Sequence, residues 1–297
     1  MPHATESAST RDFWTEYQPG FRATRAPVGS PDFFAEVEAH RYALEPHILE
    51  LVQFERWAGK DVLEAGCGIA TDGMRFARAG ARYTGIDFSA TALDLARRRL
   101  ALEDGAAAFV QGSVVDLPFP DASFDLVYSN GVIHHLRETQ RAIDEFHRVL
   151  RPGGTALVMV YHRRSFNFYL SIMTVRRVLA AMLLVPGAER AIAHLTGERP
   201  DVLQGHRELL RKHGLRYLAD PARFLSHNTD GPGNPLSKAY TAEGMRRAFS
   251  NFADVQTEVR FLNLRAYPMG DRLERQTWVR SLGRRYGWHL WVRAIKV

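Results

Sequence analysis

Three groups of residues in this 297-residue chain have types and spacings that can do chemistry. The first is Glu64-Ala65-Gly66-Cys67-Gly68-Ile69-Ala70, directly after the apolar run that begins at Asp61. Glycines at 66 and 68 let the backbone turn sharply and let a ligand approach with no Cβ in the way. The second is Asp87, which ends another apolar run about twenty residues later, where a carboxylate can accept two hydrogen bonds from ribose hydroxyls. The third is the pair His134-His135 after the run Phe124–Ser129, and an imidazole with its ordinary pKa of roughly 6.5 suits a base near neutral pH. A Gly-x-Gly turn is shared by nicotinamide and flavin sites, so these residues alone leave the cofactor open. Cys67 is the single cysteine, which excludes an intrachain disulfide and any multi-cysteine metal site. It reads as a small packed residue of the turn rather than a nucleophile, and no metal constellation stands out.

Such residues need rigid elements to hold them, and the sequence alternates strand and helix patterns in the rhythm of a doubly wound sheet. Strands are expected over 61–64, 82–87, 107–111, 124–129 and 155–161, with Arg151-Pro152-Gly153-Gly154 as the turn before the last. Helices are expected over 71–79, from the cap Ser89 to about Glu103, and over 138–150. After Tyr161 the rhythm stops: residues 163–238 have helical periodicity near 166–184 and 203–213, no convincing strand, and a Gly/Pro-rich loop at 228–235. It resumes with a helix over 242–250, a strand over 254–262, a helical stretch over 271–286 and an apolar last strand over 288–297. The predicted fold is α/β, a Rossmann-like, seven-stranded, mostly parallel sheet with helices on both faces. Its predicted organisation is an N-terminal helical cap (1–50), a nucleotide-binding core (51–162), a helical lid or substrate insertion (163–238) and a completion of the core (239–297).

Four ordered segments, VLEAGCGIATDG, TGIDFS, DLPFPDASFDLVYSNGVIHHL and VLRPGG, resemble the successive motifs of class I S-adenosylmethionine-dependent methyltransferases. The nearest group is the small-molecule, quinone-type branch (methyltransferase type 11-like). The resemblance is dense over 58–162 and implies S-adenosyl-L-methionine as cofactor, with S-adenosyl-L-homocysteine as product. Carried onto these residues, it implies that Glu64, Gly66 and Gly68 lie along the methionine and ribose part, with Thr71 and Asp72 nearby. Asp87 would take the ribose hydroxyls, Phe88 the adenine face, Ser113 and Val114 its far side, and Asn130 the sulfonium end. Family members often carry Asp or Asn where Ser113 stands, and a third glycine where Ala70 stands. His134 and His135 would then be a base or line the active site. Apart from the resemblance, Tyr17, Arg22 and Arg25 of the N-terminal segment read either as substrate contacts or as surface decoration, and Tyr161 as a substrate contact. Methyl transfer needs a base only if the acceptor loses a proton as it attacks.

The net charge of +6 is unevenly spread. Residues 1–162 hold 16 Lys and Arg against 22 Asp and Glu, and residues 163–297 hold 23 against 11. The basic half nonetheless contains no recognisable RNA- or DNA-binding module, and Ser129-Asn130-Gly131-Val132 stands where base-amino methyltransferases carry Asn/Asp-Pro-Pro-Tyr. No nucleic acid is therefore expected, and the acceptor is expected to be a small anionic or lipophilic molecule methylated at oxygen, nitrogen or carbon in bacterial specialised metabolism. The segment FNFYLSIMTVRRVLAAMLLVP at 166–186 has an uninterrupted apolar run too short for the roughly 20 residues that span a bilayer. It reads as a lid over an apolar pocket, a homodimer contact or an interfacial membrane helix. The start MPHATESAST has neither a basic nor an apolar stretch, so a cytoplasmic enzyme is expected. Two other functions are compatible with the motifs: intramolecular displacement or lyase chemistry on the same cofactor, and a non-catalytic cofactor-binding or membrane-surface protein.

Overall fold

Strands β1 (Asp61–Ala65), β2 (Arg82–Asp87), β3 (Ala107–Gln111), β4 (Phe124–Asn130), β5 (Leu150–Tyr161), β6 (Ala253–Arg260) and β7 (His289–Ile295) form one sheet. Its order is β3-β2-β1-β4-β5-β7-β6. The computed structural model describes residues 8–16, 21, 24–103, 106–264, 269–274 and 276–297. The helices are α1 (Ala8–Glu16), α2 (Pro31–Leu44), α3 (His47–Val52), α4 (Gly73–Arg78), α5 (Ala90–Leu100), α6 (Thr139–Val149), α7 (Arg177–Met182), α8 (Ala188–Thr196), α9 (Pro200–His213), α10 (Arg216–Ala219), α11 (Pro221–His227), α12 (Ala242–Ala248), α13 (Gly270–Glu274) and α14 (Thr277–Tyr286). The chain divides into two compact units, Met1–Val160 with Ala242–Glu258 and Trp291–Val297, and Tyr161–Thr241 with Val259–Leu290.

In the first unit β1 pairs in parallel with β2 (Val62 opposite Tyr83) and with β4 (Val62 opposite Leu126). Strands buried on both faces are mainly apolar, as Val62, Leu63 and Ala65 of β1 and Phe124, Leu126 and Val127 of β4 are. Ser89 caps α5 by accepting from the Ala92 amide at 3.2 Å, as the sequence predicts. β5 differs from expectation by starting at Leu150. Its register against β4 jumps from Phe124–Leu150 to Leu126–Thr155, so the predicted turn Arg151–Gly154 is a bulge inside the strand. The core is rich in aromatic rings. Phe76 packs edge-on to Phe54 at 4.7 Å and to Tyr128 at 5.4 Å, and Tyr128 stacks on Trp291 at 6.3 Å.

Helix α2 begins at Pro31 because Ser30 accepts from the Phe33 amide at 3.2 Å, and Phe33, Phe34 and Val37 are buried. The same helix carries a buried acid. Glu38 accepts from Arg75 at 3.0 Å, from Arg78 at 2.6 Å and from the fully buried Arg99, which also holds Glu103 at 3.0 Å. One carboxylate thus joins α2 to α4 and α5. Burial opposes the Glu38 charge, but the Arg78 hydrogen bond and the charges of Arg99, Arg78 and Arg75 outweigh it and hold the carboxyl below its ordinary value of 4.5.

The second unit is largely helical. A π-helical stretch, Asn167–Arg176, runs into α7, and Phe168, Ile172, Leu203, Leu210, Tyr217, Phe224 and Trp288 form its core. The Tyr217 hydroxyl lies 2.7 Å from His206 Nδ1 and accepts from Asn228 Nδ2 at 3.0 Å. Burial pushes the His206 ring down to about 4, so the ring is neutral near pH 7. The Gly/Pro-rich loop is ordered by the fully buried Asn234, whose amide donates to Ser237 Oγ at 2.8 Å and to Asp230 Oδ2 at 3.1 Å.

Because the folded Glu38 carboxyl sits below its ordinary value, its contribution is complete above about pH 4.5 and is lost as pH falls through the folded value. Glu38→Gln is expected to lower unfolding stability at pH 7 by about 3 kcal/mol or more, the scale for breaking a buried ion pair. It should also flatten the acid limb of stability against pH. Urea unfolding between pH 3 and pH 7 checks both.

Candidate cofactor site

Order in the sheet reverses at β1, which has β2 and β3 on one side and β4 and β5 on the other. Loops leaving the carboxyl ends of β1 and β4 therefore diverge, and ligands bind in the crevice this opens. A cavity of about 120 Å³ lies there, lined from β1 by Gly66 and Gly68, from β2 by Asp87 and Phe88, and from β3 by Gly112 and Val114. Asn130, Gly131, Val132, His135 and Leu136 complete it from β4, and Thr10 and Trp14 of α1 cover it.

The glycine turn is built for close approach. Gly66 and Gly68 have φ of +80° and +51°, a region that L side chains rarely adopt. A Cβ on Gly66 would collide with the Val132 side chain. The amides of Gly66 and Cys67 donate to the Ile86 carbonyl at 2.8 and 3.0 Å, and the Gly68 amide donates to Asp87 Oδ2 at 2.9 Å. Asp87 Oδ1 accepts from the Ser89 amide at 2.9 Å. The carboxylate at the end of β2 thus holds the turn after β1. Burial pushes the Asp87 carboxyl up from its usual range, and the amides of Ser89, Gly68 and Phe88 oppose that shift.

Beside the cavity, the Asp72 carboxylate is buried and accepts from five side-chain hydrogens, one of them from Asn130 Nδ2 at 3.4 Å. Arg41 donates through Nε at 2.8 Å and through a terminal nitrogen at 2.5 Å, and the hydroxyls of Tyr42 and Tyr128 each donate at 2.7 Å. The Asn130 amide donates to the Tyr128 hydroxyl at 2.9 Å, which ties a cavity wall to this network. Burial works against the Asp72 charge, and the Arg41 charge with its hydrogen bonds and those of the tyrosines keeps the carboxyl below its usual range. Glu64 behaves oppositely. Burial and the neighbouring Asp72 charge push it well up, while its Oε2 accepts from the Tyr83 hydroxyl at 2.5 Å. The two neighbouring acids are thus shifted in opposite directions by their surroundings.

Of the residues expected from sequence, Gly66, Gly68, Asp87, Phe88, Val114, Asn130 and His135 share the cavity. Glu64, Thr71, Asp72, Ser113 and His134 are not among its lining residues. Ser113 Oγ turns back toward the Val115 amide at 3.4 Å, and His134 is fully buried with its ring 4.2 Å from that of His135. Arg25 is exposed, and Tyr17 and Arg22 lie outside the described residues. Tyr161 belongs to the second unit, where it stacks on Trp288 at 4.4 Å and donates to Asp230 at 3.0 Å. Sequence reasoning missed Trp14, whose ring lies 4.7 Å from that of His135. It also missed the Arg41–Asp72 pair, since an ion pair between residues 31 apart leaves no local pattern.

Residues 63–158 match a family model described as a methyltransferase domain. The chain is 34% identical over 120 residues to a demethylmenaquinone methyltransferase of Clavibacter sepedonicus, a match covering 38% of this chain and 49% of that one. It is 36% identical over 130 residues to a fatty-acid O-methyltransferase of Mycolicibacterium smegmatis, covering 43% and 46%. The match thus spans less than half the length of each of these relatives. Its fold is similar to that of a magnesium protoporphyrin IX methyltransferase from Synechocystis solved with bound SAH (TM-score 0.53, 14% identity, covering 97% of this chain and 98% of that one). An S-adenosylmethionine-dependent methyltransferase from Mesorhizobium loti has a TM-score of 0.52 at 21% identity, covering 86% and 98%.

Asp87→Asn keeps an acceptor for the Gly68 amide but removes the charge. It is expected to weaken S-adenosylhomocysteine binding about 10- to 100-fold, the worth of hydrogen bonds to a charged group. Glu64→Gln, at a carboxyl that does not line the cavity, should change that affinity by less than about threefold. Calorimetric titration of the two variants separates the two carboxyls.

Proposed function

We propose that this chain, whose residues 63–158 form a class I S-adenosylmethionine-dependent methyltransferase domain, transfers a methyl group to a small lipophilic acceptor. The observation that carries the proposal is one cavity shared by the glycine turn, Asp87, Phe88, Val114, Asn130 and His135. The residues fit the cofactor chemically. A buried strand-end carboxylate suits ribose hydroxyls, and Phe88 and Val114 suit an adenine.

Bound there, S-adenosylmethionine supplies an electrophilic methyl group on a sulfonium. The protein aligns the acceptor, keeps water out and accepts a proton if the acceptor has one to lose. His135 faces the cavity, and Trp14 and His134 fix its ring from two sides. It takes the proton of an acidic hydroxyl on the acceptor. His134, fully buried behind it, positions His135 rather than touching the acceptor.

A cavity of about 120 Å³ is smaller than the roughly 300–1,000 Å³ of small-molecule sites, so α1 moves to admit cofactor and acceptor. Closure of Trp14 over the site afterwards excludes water from the transfer. Naphthoquinols and fatty acids, the acceptors suggested by the relatives' names, both present an acidic O–H or an activated carbon on an apolar body.

With methyl-labelled S-adenosylmethionine and either a naphthoquinol or a long-chain fatty acid, label is expected in the acceptor with one equivalent of S-adenosylhomocysteine. Release of methylthioadenosine without any acceptor would instead mark intramolecular displacement. His135→Phe keeps an aromatic ring against Trp14 and should lower kcat about 100-fold or more while leaving S-adenosylhomocysteine affinity unchanged, as removal of a general base does. Unchanged kcat in this variant would leave His135 as a wall only.

A further inference from the structure

We infer that the second unit carries a peripheral membrane face for anionic phospholipid bilayers, formed by the π-helical stretch Asn167–Arg176, α7 and the turn 183–187 that follows it. The face is apolar where a water-exposed helix is normally polar. Phe168, Ile172 and Ala180 point into the unit's core, while Tyr169 (56% exposed), Val178 (59%) and Val185 (60%) stand in solvent with Leu170, Met182 and Leu184. The two arginines that interrupt the apolar sequence are directed into the unit's own structure. Arg176 donates to the Asn228 carbonyl at 2.8 Å, and the Arg177 guanidinium lies over the Phe224 ring at 5.1 Å. Charge is thus drawn inward and aliphatic surface is left outward along residues 169–185.

The rim selects the occupant. No Asp or Glu occurs between residues 163 and 188, and Arg163, Arg164 and Arg190 are exposed at the two ends of the segment. A second copy packed on this stripe would set arginines against arginines in either direction, which disfavours association. Phosphate headgroups satisfy the same arginines while the side chains between them enter the acyl boundary, as in helices that lie in the interface plane. No helix among the described residues is long and apolar enough to cross a bilayer, so the contact is peripheral. The inference deepens the proposed function, because lipophilic acceptors are concentrated in membranes.

Flotation of the full chain, with no cofactor or acceptor present, tests it independently of methyl transfer. Vesicles of phosphatidylcholine with equimolar phosphatidylglycerol are expected to bind at least about tenfold more protein than phosphatidylcholine alone, with the difference shrinking at high salt. Val178→Asp/Val185→Asp should lower this binding about tenfold or more and Arg163→Glu/Arg164→Glu several-fold, with far-UV circular dichroism and S-adenosylhomocysteine affinity unchanged. Absence of binding to the mixed vesicles, or equal binding by the aspartate variant, would overturn the inference. So would a wild-type dimer in light scattering that the aspartate variant abolishes. Any of these results leaves the methyl-transfer proposal standing.

Discussion

The buried carboxylate of Asp72 is the constraint around which the first unit is arranged. A charge removed from water is tolerated only if it is paired and hydrogen-bonded, and Asp72 obtains its partners from two other elements. Arg41 and Tyr42 come from α2, Tyr128 from β4, and Asp72 itself stands at the start of α4. Satisfying that one group fixes where α2 lies against the sheet. It also fixes the Tyr128 hydroxyl, and through it the amide of Asn130 on the cavity wall. Glu38 repeats the device one turn earlier on α2 with Arg75, Arg78 and Arg99. Helix α2 is therefore tied by ion pairs to the network that supports the site, rather than by apolar contact alone.

Two acids next to each other, Asp72 and Glu64, are pushed in opposite directions by their surroundings. The arginine pairs with Asp72, while Glu64 is left to burial and the Asp72 charge, which push it up, and to the Tyr83 hydroxyl that donates to it. Asp87 has no cationic partner described and is held by backbone amides, one of them from the glycine turn itself. This couples the shape of the turn to the carboxylate across the crevice: a ligand that engages Asp87 also meets a turn already fixed by it. The same economy is visible at Gly66, where Val132 from the β4 loop occupies the space a side chain would need.

The strands and the cofactor turn were legible in the sequence because their signals are local. β2 and β3 have the residue bounds the apolar runs predict, and the Ser89 cap follows from residue type. Asp87 was legible through its spacing from the glycines. Glu64 and Asp72 were legible as acids near the turn, but their partners Tyr83, Arg41 and Tyr42 are distant in sequence, so the pairing was not. Trp14 was visible only as one aromatic residue among several. The arginine excess after residue 163 pointed to an anionic acceptor, yet several of these arginines have partners within the second unit. Arg207 holds Glu189 through two contacts of 2.6 Å, Arg199 holds Asp201 at 2.6 Å and Arg176 holds a carbonyl. Arginine count in a sequence does not reveal which side chains turn inward, and that turning is what leaves the apolar helix face exposed.

The claim on which the rest stands is that the crevice at the carboxyl ends of β1, β2 and β4 is an S-adenosylmethionine site. Titration calorimetry of the unmodified chain with S-adenosylhomocysteine tests it directly. The account predicts saturable binding of one molecule per chain, competed by S-adenosylmethionine and not by NAD or a flavin nucleotide. No heat of binding at any accessible concentration, or displacement by NAD, would contradict it.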